Sequence, residues 1–495
     1  MVPPAHPRSA STATGTAARS AVPVPTPTAR LLLSRFTAGP TPSLAHAVAG
    51  GREQRWFARQ LKPASVPDPA GEQIEEWWPD LARTPLDLWM RQSDGTRQGW
   101  QVMNDYGSWV LTRRLRSSRQ VLETMTAFFE NLLYVPVSGD PYFTWRVDYG
   151  RTIRARALGR YSDLLAAAVL HPAMLVYLNA ATSTKTAPNE NLGRELLELH
   201  TVGVGNYSED DVKDSARILT GWCVDVYQTW QKFYVPEYHS TGRVRVRGFT
   251  STNRDADGRA VCAAYLRYLA RHPDTAQRLA TRLVEVFVSD DVPRGLVDRL
   301  ARTYLDHDTA IAPVLLELVG SRPFRASAGA KLRTPEEDVV ATYRALDIEV
   351  LPPLAADSAT VAMLNSTGAL GWRFASNSRP DGAPVANTAW ASTARALGSL
   401  DLHWNLANRY YPVTDVSYRD PASWVPSFPI TYGDLVDHLC RSVLTRRSTA
   451  ELLQIAVTAT GIAAETVIPD ASHPAVTGIG RTLAALLDTP EHWYR

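Results

Sequence analysis

The sequence predicts a mainly α-helical protein, a large multi-helical body with one small β-hairpin. Three observations carry this expectation. Apolar residues recur at three- and four-residue spacing through most of the chain. Period-two alternation is confined to one short stretch. The 495 residues, 45% hydrophobic and 21% charged, suffice to fill more than one core and still cover a soluble surface. No stretch approaches ~18 consecutive apolar residues, so a spanning helix is not expected.

The first 29 residues are rich in Pro, Ala, Ser and Thr and lack an apolar h-region, so they read not as a signal peptide but as a disordered leader, or as the product of a start codon placed too early. Leu31, Leu32, Leu33 and Phe36 open the helical pattern before Gly39-Pro40, and Leu44, Val48, Trp56, Phe57 and Leu61 continue it. Further helices are expected over 119–135, 152–170 and 172–178. Asn189 is a candidate N-cap for a helix through Thr201, with Glu190 complementing the dipole in its first turn. Ser208 and Asp211 have capping-box spacing for a helix stopping near Gly221.

Arg243-Val-Arg-Val-Arg247 alternates with period two, and its expected partner is 233–235. Helical patterning resumes over 259–319 in at least four units and again over 335–345. Residues 368–384 form a long loop carrying Trp372 and Phe374. A boundary near residue 350 separates a main helical domain (30–350) from a C-terminal helical region (351–495) packed on it. His171-Pro172 and His272-Pro273 echo each other, but their surroundings show no repeat.

Charge and cysteine content exclude several function classes. With 52 basic and 50 acidic residues the net charge is only +2, too little to hold nucleic acid by a whole-molecule field. The three cysteines lie far apart, which supports neither a disulfide framework nor a zinc knuckle. That spacing fits a reducing compartment, and the cytoplasm is the expected location. Phosphate loops, nucleophile elbows and His-Glu-x-x-His motifs do not occur.

The densest set of chemistry-bearing residues is 188–201. On a regular helix Glu190, Asn191, Arg194, Glu195, Glu198 and Thr201 share an arc of about 140°. Glu195 and Glu198, three apart, suit either chelation of a divalent cation or a shared proton, with Arg194 beside them. His200 joins as a ligand only if the helix ends at Leu199. The plain alternative is a solvated ladder of Glu190, Arg194 and Glu198 worth a few tenths of a kcal/mol per pair. His239, in a Gly-bounded turn, is an acid/base candidate or a backbone-bonded turn residue. Arg243, Arg245 and Arg247 share a strand face that could grip an anion or simply be solvated. Trp372 is the candidate sugar-stacking platform.

The block Pro188-Asn-Glu-Asn-Leu-Gly-Arg-Glu-Leu-Leu-Glu-Leu-His-Thr-Val-Gly203 resembles the bacterial family known as domain of unknown function 1800 (DUF1800), in an actinobacterial-type member. Supporting matches are 171–178, 207–212, 216–222, the His239 turn, 287–291 and Arg333-Thr-Pro-Glu-Glu-Asp-Val339. The resemblance spans about 30–490. It implies a large helical protein, often exported and encoded beside a sulfatase-like protein, and hints at sugar or sulfate-ester metabolism. It carries over Asn189, Glu190, Arg194, Glu195, Glu198, His200 and His239. The chain departs from the family at Leu132, where members usually carry histidine after Asn131, and at Ser240, where many carry aspartate.

The combined expectation is a hydrolase-like protein acting on a polar, carbohydrate-like substrate. Glu195, Glu198, Arg194 and His239 would be catalytic, and Asn189, Glu190, Asn131, Arg243 and Trp372 would bind substrate. Any divalent metal would sit on Glu195, Glu198 and His200. The competing expectation is a non-catalytic accessory partner of the sulfatase-like protein.

Overall fold

Thr-Pro and His-Pro pairs set where many helices begin. At Thr26-Pro27, Thr41-Pro42, Thr84-Pro85 and Thr334-Pro335 the proline occupies the first turn, where its missing N–H costs nothing, and the threonine hydroxyl accepts the N–H three residues on. At His171-Pro172, His272-Pro273 and His473-Pro474 the imidazole Nδ1 accepts the N–H two residues on, at 3.1–3.2 Å. The echo of His-Pro pairs is thus a recurring cap, which needs no repeat architecture.

The computed structural model describes residues 22–377 and 379–495. Residues 1–21 of the expected leader lie outside these. The first helix, Pro27–Phe36, starts inside the expected leader and is anchored because Leu31, Leu32 and Phe36 are buried, Phe36 stacking on Phe287 at 4.5 Å.

The fold is mainly helical, as expected. In place of one helix over 152–170, Phe143–Arg156 and Tyr161–Val169 are separate, and 119–135 shortens to Gln120–Leu132. Among the described residues there are four two-stranded antiparallel sheets in place of one hairpin. Val244–Val246 pairs with Phe249–Ser251 and not with 233–235. The reason is the turn: Arg247 and Gly248 both hold positive φ (47° and 90°), the two-residue geometry that matches strand twist. Lys232–Tyr234 pairs instead with Trp222–Val224.

Two hydrophobic cores organise the molecule. The first gathers helices from 31–61 and 121–324, including Phe57, Phe129, Leu196 and Phe287. The second joins Val102, Tyr106 and Leu111 of the Gly99–Arg116 helix to residues from Val339 onward, such as Tyr343, Leu364, Leu435 and Leu483. Residues on both sides of position 350 therefore share one core, and Glu349–Val350 pairs with Val416–Ser417. Among the described residues no helix is long and apolar enough to cross a membrane. All three cysteines are free and buried.

Candidate functional site

Asn189 caps the acidic helix as expected: its Oδ1 accepts the Leu192 N–H at 3.0 Å and its Nδ2 donates to the Asn179 carbonyl at 2.7 Å. Glu190 is exposed in the first turn. The helix is regular only over Glu190–Glu195; Leu196–His200 is a π turn. Two positions along either an α or a π turn carry His200 about half a revolution from Glu198, so its ring points into the core. There the ring is 2% exposed, Nδ1 lies 3.2 Å from the Leu132 carbonyl and Nε2 has no partner. Burial pushes this imidazole down to about 4.

The ladder does not form on this helix. Arg194 reaches across to grip Glu209 with both Nη atoms, at 2.8 and 2.7 Å, and the Tyr207 hydroxyl donates to Glu198. Glu195 is half-buried, and its carboxyl is raised by burial and then by the Glu198 charge. Glu195 and Glu198 are thus electrostatic neighbours.

His239 sits elsewhere, buried behind the following helix. Its Nδ1 is 3.3 Å from both the hydroxyl and the carbonyl oxygen of Thr220, and its Nε2 is 2.9 Å from Asn253 Oδ1. Gly258 lies flat against the ring: a Cβ there would come within 2.2 Å of the imidazole. The geometry is that of a pin closing a turn. Gly258→Ala is expected to destabilise the fold by about 1–3 kcal/mol through this overpacking, read as a lowered urea midpoint with unchanged m-value. Arg243 and Arg245 are exposed, while Arg247 bonds Asp274 at 2.6 Å, so the three do not form one claw.

Asn131 and Trp372, two of the expected substrate-binding residues, do converge. They line a cavity of about 160 Å³ between the two cores, walled by Phe128, Phe287, Val340 and Phe374 among others. Asn131 holds the 379–384 segment as one wall: its Nδ2 donates to the Ala383 carbonyl at 3.0 Å and its Oδ1 accepts the Ala383 N–H at 2.5 Å. Gly382, at φ 71°, passes so close that a Cβ would be 2.5 Å from the Asn131 carbonyl oxygen. Trp372 packs edge-on against Trp390 at 6.1 Å.

Five arginines (35, 114, 146, 282, 495) and four glutamates (123, 130, 336, 337) line this cavity. Glu130 accepts both Arg146 Nη atoms at 3.0 Å and the Tyr106 hydroxyl at 2.9 Å. Burial alone would lower the Arg146 guanidinium, but Tyr106 and Glu130 hold it above its usual value. Glu336 pairs with Arg114, and burial outweighs that pairing to raise its carboxyl. Glu337 completes the capping box by accepting the Thr334 N–H at 3.0 Å, and Arg495 Nε lies 3.0 Å from it, a charge contact without hydrogen-bond alignment.

Arg35 is different. It is 0% exposed, donates only to backbone carbonyls of Phe287, Val288 and Ser327 and to the Ser327 hydroxyl, and leaves Nη1 without a partner. Burial, then the neighbouring Arg495 charge, lowers its pKa.

The first turn of the Pro335–Ala345 helix distributes three consecutive acids. At 100° per residue they cannot share one face. Glu336 and Glu337 border the cavity, whereas Asp338 turns into the second core toward His403 and His492. Among the described residues these are the three whose ligand atoms converge, within 4.8 Å of one another, so this group could hold a metal ion. Glu195, Glu198 and His200 do not converge in this way, because the histidine lies on the opposite, buried face while both carboxylates stay partly exposed.

Sequence reasoning missed Arg35, Glu130, Glu336, Glu337, Asp338, His403 and His492 as site residues. One signal was available: Thr334-Pro335-Glu336-Glu337 is a capping box with acids crowded into the first turn, and 333–339 already carried the resemblance. No curated protein and no solved structure matches the chain. A family model described as "Protein of unknown function (DUF1800)" matches residues 31–494, which include both the cavity's acidic edge and the acidic helix, and the chain therefore belongs to the DUF1800 family.

Proposed function

We propose that the central cavity binds a small acidic polar molecule, a sugar-sized ring carrying a carboxylate or sulfate. The observation that carries this reading is Arg35: a guanidinium with no carboxylate partner and a free Nη1, buried on the wall of the cavity. Burying an unpaired charge is costly, so an anion arriving at Nη1 recovers interaction energy that the empty protein forgoes. Trp372 offers an aromatic surface for the ring. The volume, about 160 Å³, suits one ring and not an oligomer. Glu336, whose carboxyl burial raises, is the group placed to exchange a proton with the ligand, which keeps the hydrolase-like expectation but moves it off Glu195 and Glu198.

A thermal-shift panel of neutral, carboxylated and sulfated monosaccharides tests this reading. Acidic members are expected to raise Tm and neutral ones are not. Arg35→Met should abolish the shift, and Trp372→Ala should weaken affinity about tenfold, the effect of losing ~1.4 kcal/mol of stacking. Equal responses to neutral and acidic sugars, or none, would reject the anion site.

A second reading, the accessory partner, is favoured by one surface. Leu397, Leu400 and Trp404 are exposed at i, i+3 and i+7 on the Thr393–Ala407 helix, and Tyr410, Tyr411 and Val413 are exposed shortly after it. Co-purification with the sulfatase-like protein, lost on Leu397→Asp/Trp404→Asp, would support it.

A further inference from the structure

We infer that Asp338, His403 and His492 form a closed structural site for a zinc-like divalent ion, separate from the central cavity. The donors come from three elements: the Pro335–Ala345 helix, the Thr393–Ala407 helix and the Pro490–Trp493 helix. Asp338 Oδ1 lies 3.2 Å from His403 Nε2 and 3.7 Å from His492 Nε2. Donors bound at about 2.0–2.1 Å around a tetrahedral ion stand about 3.3 Å apart, so both separations are close to those of ligands sharing one ion. The 3.7 Å gap is also too long for a direct hydrogen bond, so nothing in the protein joins those two atoms.

The surrounding groups orient the donors. His403 Nδ1 is held by Asp488 Oδ1 at 2.7 Å, the carboxylate–imidazole support that directs Nε2 at a metal. The other oxygen of Asp338 is occupied by Ser399 at 2.6 Å and Arg395 at 3.3 Å, which leaves Oδ1, bonded only by His403 Nε2, as the oxygen that faces the cluster. Thr342 gives its hydroxyl proton to the Asp338 carbonyl and lies 3.1 Å from His492 Nε2, so in the metal-free protein it accepts that nitrogen's proton and fixes the ring's orientation toward the cluster. Two carboxylates, Asp338 and Asp488, face a divalent ion, with Arg395 on the far oxygen of Asp338 as the opposing charge.

The three ligands are 1%, 0% and 4% exposed, and none of them lines the central cavity. An ion here has no substrate access. Its role is to tie the C-terminal residues to the turn that presents Glu336 and Glu337, and binding displaces the His403 Nε2 proton and moves the His492 proton from Nε2 to Nδ1, freeing both Nε2 lone pairs for the ion.

The experiment uses the full chain expressed with added zinc or cobalt. Elemental analysis should find about one equivalent of metal, and the cobalt form should show the intense visible bands of a tetrahedral site. EDTA should lower Tm of the wild type and leave that of His492→Gln, chosen because it preserves a donor for Thr342, unchanged. Should His492→Gln fail to fold, the wild-type metal content, cobalt spectrum and EDTA response decide alone. Absence of stoichiometric metal together with a Tm indifferent to zinc and EDTA would overturn the proposal and leave His403 as a doubly protonated bridge between two aspartates. None of these readouts depends on the sugar-acid ligand, so the two readings fail independently.

Discussion

Arg146→Met is expected to lower the free energy of unfolding by about 3–5 kcal/mol, the cost of leaving a buried carboxylate without its counter-charge. Arg146 is 1% exposed and sits on the cavity wall with Glu130, which accepts both of its Nη atoms. Its Nε donates to the Val135 carbonyl at 2.8 Å, and its guanidinium lies 5.0 Å from the Tyr106 ring centre and 5.6 Å from that of Tyr149. Methionine fills similar volume but supplies no proton donor, so Glu130 loses two of its three hydrogen bonds and the Val135 carbonyl loses one. Arg146→Met/Glu130→Leu should recover most of the loss, because no orphaned charge remains. A urea titration of the three proteins measures this. A single variant within ~1 kcal/mol of wild type would show that Glu130 is solvated through the cavity and not sealed by Arg146.

The pair of Arg114 and Glu336 should behave in the opposite sense. Both side chains are 12–13% exposed, and their elements are 222 residues apart in sequence. Replacing both with apolar residues of similar size, Arg114→Met/Glu336→Leu, removes two desolvated charges at once. It is expected to leave stability unchanged or to raise it by about 1–4 kcal/mol. The same variant should lose the response to acidic ligands, because the cavity loses one of its five guanidiniums and the carboxyl group nearest to acid–base work. Stability retained with binding lost marks a charge pair kept for function. A double variant that binds normally would restrict the anion site to Arg35 and Arg495, and one that unfolds would make the pair structural.

Helix positions were largely legible because they depend on neighbours three or four residues away. Ser208 and Asp211 form the reciprocal cap that their spacing announces, and Asn189 caps its helix by the hydrogen bond its residue type predicts. The 368–384 loop carrying Trp372 was also identifiable from composition, and Asn131 from the resemblance, although their meeting at one cavity was not.

At 196–200 local pattern foretold the faces but not the backbone. A 100° rotation per residue places Glu195 and Glu198 beside each other and His200 about 200° from Glu198, and the structure keeps that arrangement. What the pattern lacked is the π turn over Leu196–His200, in which Leu196, Leu197 and His200 are buried. For His239 the residue type allowed an acid/base role, whereas Thr220 and Asn253, 19 and 14 positions away, occupy both ring nitrogens.

By itself, then, the sequence determined a mainly helical chain, its caps, its near-neutral net charge and its family. Only the tertiary structure decided which charged groups meet. Arg35 is 292 residues from Ser327, Asn131 is 252 from Ala383, and Asp338 is 65 from His403. Periodicity reports the face on which a side chain lies, but the partner that face meets depends on how two cores close against each other, and no window of neighbouring residues encodes that closure.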